Sequence, residues 1–546
     1  MRTHPKSHTR PKVRPQSKPS CTLIVPTLTL LIVLDFYQIG LRNYLDGNLA
    51  DAIGNMTVAG TKDPRNDKYA FALGAVYYCT SKDAATQELA LKQFKKAFKL
   101  NPRSQEAVYH MGLAQLELGQ YSAALNSFTK TIDLNPGHAD AHNSIGWVHY
   151  KTSTNDQDQS AISAAKPSSR QLAKLDTAIE SFTKALTLDE KHAKAHSNLG
   201  SALLDRATSK EGVVEALPLL QKAVELAPQV SEVHYNLATA LKRAGDVHAS
   251  VAHFKTAIAI GPATGEMWNN YGLSLTDAQD FQGAEEAFSE AIKLIPSRAE
   301  FHSNLAVSHL KRNNRPAAIA AYENAIVVAP SNEDLHVQLA VLYREDGQAA
   351  AALDKLKRAL DINPQNPEIY KQLGVQSAHQ RKWSEAIAYF KKSLTFAKDD
   401  PETLTYLGAT LKEEGQVEEA EAQFKRALKL DPGAIEPLQN LGALYSEQHK
   451  FKEALELFRK LALQRPTNPD VRMHLGFLLQ QQHNLHEALK EFEHAVKLKD
   501  DDWMYHYNYA LALGQAGENE KSEHHMARAQ QLNPEVFKQL NQLTEE

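Results

Sequence analysis

Side-chain amides recur along the chain at one fixed place, two residues before a glycine or an alanine. Each Asn or Gln side chain carries both a hydrogen-bond donor and an acceptor. A column of such groups can therefore pair with the main chain of an extended peptide, whatever side chains that peptide carries. The members of this carboxamide column are Asn198, Asn236, Asn270, Asn304, Gln338, Gln372, Asn440 and Asn508. Ser144, Tyr406 and His474 interrupt the column, so binding through amides is not expected at those three points.

No other set of reactive side chains forms a catalytic or metal-binding pattern. The chain contains no HExxH motif, no paired CxxC motifs and no Gly-rich phosphate loop. Histidine is abundant, at 23 residues, but the neighbours His524 and His525 would point in different directions on a helix. His483 and His486 have no evident carboxylate or thiol partner. The sequence therefore predicts a protein that is not an enzyme and that has no metal site and no cofactor.

The amides are positioned by a unit that repeats at a constant interval along the chain. Residues 402–432 predict two short helices: the first has an apolar face around Leu407 and is broken by Gly415. The second has an apolar face around Phe424 and stops before Pro432. The prolines that recur at one repeat length from each other include Pro228, Pro262, Pro296, Pro330 and Pro364. The chain is thus an array of helical hairpins.

Small and aromatic residues occupy fixed places in each unit. A small residue such as Ala420 lies twelve residues before the proline position, and mostly an aromatic one such as Phe424 lies eight before it. Small side chains let two helices approach closely, and the aromatic ring fills the gap between neighbouring pairs. Thirteen consecutive units fit the pattern, and a degenerate fourteenth contains Gly40, Ala52 and Met56. These units resemble the tetratricopeptide repeat (TPR), a helix-turn-helix unit of the same length.

The TPR resemblance implies an all-α fold. It is a right-handed superhelix, or α-solenoid, of about fourteen repeats with a C-terminal capping helix. The first helix of each repeat would line a concave groove, and the carboxamide column would point into that groove. An amide at this position is also common in TPR sequences in general.

Five short motifs around column positions also resemble one particular family. They are HSNLG (196–200), HYNLA (234–238), WNNYG (268–272), HSNLA (302–306) and LQNLG (438–442). They resemble the TPR half of the O-linked N-acetylglucosamine transferase. In that family a ladder of asparagines holds substrate peptides, and the resemblance implies this role for Asn198, Asn236, Asn270, Asn304 and Asn440. The glycosyltransferase half of that family is absent, so its activity is not implied.

Charged residues beside the column leave its ligand preference open. Acidic residues recur near the start of the first helices, at Glu232, Glu266, Glu300, Asp334, Glu368, Glu402, Glu436 and Asp470. An anion in the first turn complements the helix dipole, which accounts for these acids without a ligand. Residues that could tune preference are Tyr235, Asn269, Ser303, Lys242, Arg243, Lys311 and Arg344. The basic members favour acidic peptides and the acids oppose them.

The N-terminal residues differ from the repeats. Residues 1–20 are rich in Pro, Lys and Arg, which predicts a disordered basic leader. An apolar run follows at 21–34, and this order is typical of a signal-anchor. It predicts membrane anchoring through 21–41, with the repeats on the non-cytoplasmic side. Because the run is shorter than the roughly 20 residues that span a bilayer, two alternatives stay open: a cleaved signal, or a cytoplasmic soluble protein in which 28–41 is a buried helix.

The repeats divide the remaining chain. We expect a degenerate TPR at 33–66, thirteen repeats at 67–534, a polar insertion loop at 151–172 within the third of them, and a capping helix at 535–546. The leader carries six positive charges, so the rest of the chain carries −10 within a net charge of −4, which argues against nucleic acid as a partner.

The predicted function is a non-enzymatic protein–protein interaction scaffold that binds extended peptide segments in its groove. The alternative is an adaptor subunit that presents substrates to a separate glycosyltransferase or to an envelope-assembly complex. The expected partner is a protein or peptide, and the oligomeric state stays open.

Overall fold

The computed structural model describes residues 36–154, 168–207 and 210–538. The predicted leader, the apolar run, most of the polar insertion and the end of the capping helix (539–546) lie outside these ranges. Contacts divide the chain into two compact units, which we name unit 1 (Met1–Pro296) and unit 2 (Ser297–Glu546).

The described ranges contain helices and no strand. Unit 1 contains α1 (Phe36–Leu45), α2 (Leu49–Lys62), α3 (Asp67–Thr80), α4 (Ala84–Leu100), α5 (Gln105–Glu117), α6 (Tyr121–Leu134), α7 (Ala139–Thr154), α8 (Ser169–Leu188), α9 (Ala193–Arg206), α10 (Lys210–Leu226), α11 (Ser231–Ala244), α12 (Val247–Ile260), α13 (Gly265–Asp277) and α14 (Phe281–Leu294). Unit 2 contains α15 (Ala299–Lys311), α16 (Arg315–Val328), α17 (Glu333–Glu345), α18 (Ala349–Ile362), α19 (Pro367–His379), α20 (Trp383–Phe396), α21 (Pro401–Glu413), α22 (Val417–Leu430), α23 (Ile435–Glu447), α24 (Phe451–Gln464), α25 (Pro469–Gln481), α26 (Leu485–Leu498), α27 (Trp503–Gln515) and α28 (Asn519–Leu532). Odd-numbered helices are the first helices of the repeats. The predicted all-α TPR solenoid fold is confirmed.

The turns within and between repeats follow from local chemistry. At the start of α21, the side chain of Asp400 accepts hydrogen bonds from the main-chain N–H groups of Glu402 and Thr403, which would otherwise have no partner. Gly415 has a φ of 85°, in the left-handed region that glycine adopts without strain, and it joins α21 to α22. Both helices therefore have the limits that the sequence predicts for residues 402–432.

In eight of the described hairpins the core contains a glycine-on-phenylalanine contact. A β-carbon on Gly408 would lie 2.7 Å from Cε1 of Phe424, and one on Gly112 would lie 2.6 Å from Cε1 of Phe128. Both rings are fully buried. The small residue at this position is therefore what allows the ring of the second helix to lie against the backbone of the first.

A side chain near the start of seven first helices bonds back to the connection that precedes it. Each reaches a main-chain carbonyl six residues earlier, and these residues are His142, His196, His234, His336, Tyr370, Arg472 and His506. Because a carbonyl only accepts, each of the five histidines carries its hydrogen on Nε2. We call this contact the backbone clasp. It fixes these seven first helices against the connections that precede them.

The first helices pack directly on one another within each unit. Helix α9 contacts α7 and α11 in unit 1, and α19 contacts α17 and α21 in unit 2. Second helices make no comparable contact with each other in the described part of the chain. The first helices therefore line the closely spaced inner face of each stack. Across the described ranges, no helix combines the length and the apolar character that a bilayer span requires.

Candidate peptide-binding face

All eight members of the carboxamide column lie on first helices, at equivalent positions. Unit 1 holds Asn198, Asn236 and Asn270 on α9, α11 and α13. Unit 2 holds Asn304, Gln338, Gln372, Asn440 and Asn508. Most of these side chains are half-buried, whereas Asn198 is buried and Gln338 is exposed. The column is thus at the surface of the inner face for most of its length.

In unit 1 each column amide bonds to the preceding repeat. Nδ2 of Asn198 donates to Oδ1 of Asn143 at 2.9 Å. Nδ2 of Asn236 donates to Oγ of Ser197 at 2.9 Å. Nδ2 of Asn270 donates to the hydroxyl oxygen of Tyr235 at 2.7 Å. The acceptor is always the residue just before the column position of the preceding repeat, so the amides also join neighbouring first helices.

This internal bonding fixes the orientation of each amide and leaves part of it for a ligand. An Asn amide has two N–H donors and one oxygen. Asn236 and Asn270 each use one N–H internally and retain the other N–H together with Oδ1, the donor–acceptor pair that an extended main chain needs. Asn198 is only 9% exposed. It is therefore less accessible to a peptide than the two amides that follow it.

In unit 2 the column amides do not share one hydrogen-bonding pattern. Gln372 accepts from Nη1 of Arg344 at 2.9 Å and donates to Oε1 of Glu368 at 2.7 Å, so both ends of its amide are engaged. Nδ2 of Asn508 donates to the carbonyl of Met504, on its own helix. Asn440 is half-buried on α23. Of these three, Asn440 is the amide most available to a ligand.

Two interruptions of the column present aromatic rings instead of amides. Tyr406 is 39% exposed, and its ring stacks on Phe390 with centroids 5.9 Å apart. The exposed ring of His474 stacks on Phe458 at 5.1 Å and is nearly parallel to it. Sequence reasoning treated both positions only as gaps. Because both residues stand at column positions, the sequence already indicated that they lie on the same surface as the amides.

Two of the acids at the start of the first helices share one buried cation. Nζ of Lys371 lies 2.8 Å from Glu368 on its own helix and 2.7 Å from Glu402 on α21. Burial acts to lower the pKa of Lys371, but its hydrogen bonds to the two carboxylates outweigh that effect and raise the pKa. Nothing in the sequence pattern singles out Lys371, because its importance depends on an acid in the next repeat.

The basic residues predicted to tune preference are engaged within the protein. Arg243 donates to the carbonyl of Leu204 at 2.8 Å and lies 3.4 Å from Asp205. Arg344 donates to Gln372. These contacts join neighbouring first helices, so neither side chain is free to bind an acidic peptide. In the described ranges, no group of three His, Cys, Asp or Glu residues could hold a metal ion.

Comparison with protein families identifies the repeats. Two models described as tetratricopeptide repeat match the chain, one at residues 109–166, 235–299 and 303–367 and the other at 394–533. Together they span more than half of the chain. Anaphase-promoting complex subunit 3 of Schizosaccharomyces pombe is 25% identical over 182 residues, which are 31% of this chain and 27% of that protein. The chain thus spans about a quarter of the curated relative that it matches.

Solved structures are similar at low sequence identity. The APC/C hetero-tetramer Cut9–Hcn1 is 16% identical, with a TM-score of 0.40, over 88% of this chain and 96% of that one. Yeast Tom70 is 16% identical, with a TM-score of 0.38, over 90% of this chain and 96% of that one. MamA from Desulfovibrio magneticus is 21% identical, with a TM-score of 0.30, over 31% of this chain and 96% of that one.

Proposed function

Since the chain belongs to the tetratricopeptide repeat family, we propose that it is a non-enzymatic scaffold that binds extended peptide segments of other proteins on its inner face. TPR proteins in general act as scaffolds for protein–protein interaction. The observation that carries the more specific proposal is the pair of half-buried amides of Asn236 and Asn270, each oriented by an internal hydrogen bond.

The internal bonds support main-chain recognition in two ways. They hold each amide in one orientation before a ligand arrives, so less side-chain freedom is lost on binding. The hydroxyl of Tyr235 accepts from Asn270 and still carries its own O–H, and burial raises its pKa further above neutral pH. A peptide lying across α11 and α13 would then meet an alternating set of donors and acceptors.

The test is an array of unrelated extended peptides probed with the full chain and with Asn236→Ala/Asn270→Ala. Main-chain recognition predicts that the double variant loses binding across the whole array, with unchanged helical circular dichroism. The matched control is Asn126→Ala, an exposed asparagine on the second helix α6. Loss confined to a few peptides would indicate side-chain recognition instead, and unchanged binding would refute the proposal.

A second candidate function rests on the resemblance of the HSNLG and HYNLA motifs to the transferase TPR half. The scaffold would then be an adaptor that presents substrates to a separate glycosyltransferase or to an envelope-assembly complex. Co-purification of a transferase with the full chain, but not with the Asn236→Ala/Asn270→Ala variant, would support this candidate.

We also propose that the apolar run at 21–34, preceded by the basic leader, anchors the protein in a membrane with the repeats on the non-cytoplasmic side. Carbonate extraction of membranes from cells that express the full chain or a chain without residues 1–35 tests this. Release of the full chain by carbonate would rule out an anchor.

A further inference from the structure

The second helix α4 carries a row of lysines on its solvent-facing side. The first is followed by the others after three, four and seven residues, so all of them share one face of the helix. We call them the lysine stripe: Lys92, Lys95, Lys96 and Lys99. Three of these side chains are exposed, and that of Lys96 is half-exposed. Glu88 is the one acid of α4, so the helix as a whole is strongly positive.

The lysine stripe has no counterpart among the other second helices of the described ranges. None of them has a cation at all four corresponding positions, and α22 has the most, with Lys425, Arg426 and Lys429. Two of these already have partners within the protein, since Nζ of Lys425 lies 2.6 Å from Glu421 and Nη2 of Arg426 lies 3.5 Å from Asp399. The stripe lysines pair with no acid that the structure describes. Their charge is therefore available to an external anion.

Two exposed leucines lie beside the stripe. Leu89 is 43% exposed and Leu100 is 37% exposed, and at 3.6 residues per turn both lie within about 40° of Lys96 around the helix axis. In every other second helix of the described ranges, the position of Leu89 is occupied by Ala, Gly, Thr or a charged residue. Hydration accounts for exposed lysines, but not for a leucine exposed among them. Leucine next to lysine is typical of a helix that lies on a membrane surface.

The position of α4 in the chain also favours a membrane as the partner. The apolar run proposed as an anchor ends at residue 34, immediately before the first hairpin. Helices α1 to α4 then pack one on the next, and packed helices lie about 8–10 Å apart. An anchor in the run would therefore hold α4 within about 30 Å of the bilayer. At that distance the surface is at a high effective concentration for the stripe.

We propose that the lysine stripe, together with Leu89, lies on the surface of a membrane that contains anionic phospholipids. The ammonium groups pair with lipid phosphates, while Leu89 enters the boundary of the acyl chains. This inference rests on the proposed membrane anchor, and it adds which helix is turned to the bilayer and which lipid charge that helix needs. Because the stripe is on a second helix, the inner face stays open to a peptide.

The experiment measures how fast a water-soluble acylating reagent labels each lysine of the full chain, with mass spectrometry to resolve the sites. The chain is mixed at low salt with vesicles of phosphatidylcholine alone, or with vesicles of phosphatidylcholine and phosphatidylglycerol in equal amounts. We expect the anionic vesicles to slow labelling of each stripe lysine about fivefold, the equivalent of about 1 kcal/mol per lysine. The neutral vesicles should not slow it, and added salt should remove the effect.

Two matched triple variants test whether the stripe itself is responsible. Lys92→Gln/Lys95→Gln/Lys99→Gln should leave the remaining Lys96 equally reactive with and without anionic vesicles. The control, Lys452→Gln/Lys460→Gln/Lys490→Gln, removes the same charge from exposed positions on α24 and α26. It should leave the protection of Lys96 as in the wild type.

The outcomes separate this inference from the anchor. Unchanged labelling of the stripe with anionic vesicles would overturn the inference, and flotation of the same samples with neutral vesicles would leave the anchor intact. Equal protection by both kinds of vesicle would also overturn it, because the anchor alone would then hold α4 at the surface. Protection that arises without vesicles as the protein concentration increases would overturn it in favour of a second copy of the chain. Flotation with neither kind of vesicle would overturn the anchor as well.

Discussion

Nδ1 of His234 lies 3.0 Å from Nδ1 of His253, which joins α11 to α12. His506 and His525 form the same contact at 2.9 Å between α27 and α28. The backbone clasp places the hydrogen of His234 on Nε2, so its Nδ1 must accept and Nδ1–H of His253 must donate. The pair is thus complete with both rings neutral, and adding protons to both rings would remove its acceptor.

The first prediction concerns the pH dependence of this repeat. Burial, and secondly the electrostatic interaction with His234, lowers the pKa of His253 below its ordinary value. The unfolded chain, where histidine titrates near 6.5, then binds more protons than the fold as pH decreases. Stability contributed by the neutral pair is therefore present above about pH 6.5 and is lost as pH falls below it. Hydrogen exchange of α11 and α12 at pH 7 and pH 5, corrected for intrinsic rates, measures this loss.

His253→Gln should reduce that pH dependence. The matched control is His248→Gln, an exposed histidine on the same helix, and it should leave the dependence as in the wild type. If the two variants behave alike, the His234–His253 pair is not the origin of the effect.

A second prediction concerns Lys371. Lys371→Met keeps the aliphatic stem but leaves Glu368 and Glu402 facing each other without a cation. We expect a loss of about 1–2 kcal/mol in the local stability of α19 and α21, moderated because both carboxylates remain hydrated. Because a long repeat array does not unfold in one step, hydrogen exchange of these helices is the measurement. Wild-type protection in the variant would show that the bridge contributes nothing.

The fold could be predicted from the sequence because the same pattern recurs in every repeat. Gly408 and Phe424 each have an identical residue one repeat length away, so the register followed from the spacing alone. Arg381 and His449 stand one repeat length from Gly415 and adopt the same positive φ, so that turn did not follow from the residue type. The hydrogen bonds that the column amides make to the preceding repeat could not be predicted from the spacing. The contact between Asn270 and Tyr235 depends on how two neighbouring repeats are displaced, and no pattern within one repeat contains that information. Lys371 was missed for the same reason.

A third prediction tests the glycine-on-phenylalanine contact. Gly408→Ala would place a β-carbon 2.7 Å from the ring of Phe424, which must then shift in a close-packed core. We expect α21 and α22 to lose about 1–3 kcal/mol of stability. Gly54→Ala on α2 is the matched control, because a β-carbon there meets no atom within 4 Å. That substitution should stabilise α2 by about 0.5–1 kcal/mol. Equal effects of the two substitutions would refute the role of ring packing.

A fourth prediction compares two ion pairs in neighbouring parts of unit 2. Arg472 donates through Nε to the carbonyl of Pro466 and through Nη1 to Glu491 at 2.8 Å. The side chains of Arg472 and Glu491 are 18% and 19% exposed. Lys497 and Glu493 pair at 2.5 Å, but their side chains are 65% and 45% exposed. Removing one partner of a largely buried pair strands the other charge, whereas an exposed pair is replaced by water.

Arg472→Met should therefore destabilise α25 and α26 by about 3 kcal/mol, and Lys497→Met by less than about 0.5 kcal/mol. Arg472→Lys should recover only part of the loss, because one ammonium cannot present the two diverging donors that Nε and Nη1 supply. Hydrogen exchange of α25 and α26 in the three variants gives the comparison. A loss from Lys497→Met as large as that from Arg472→Met would mean that burial does not decide the contribution of these pairs.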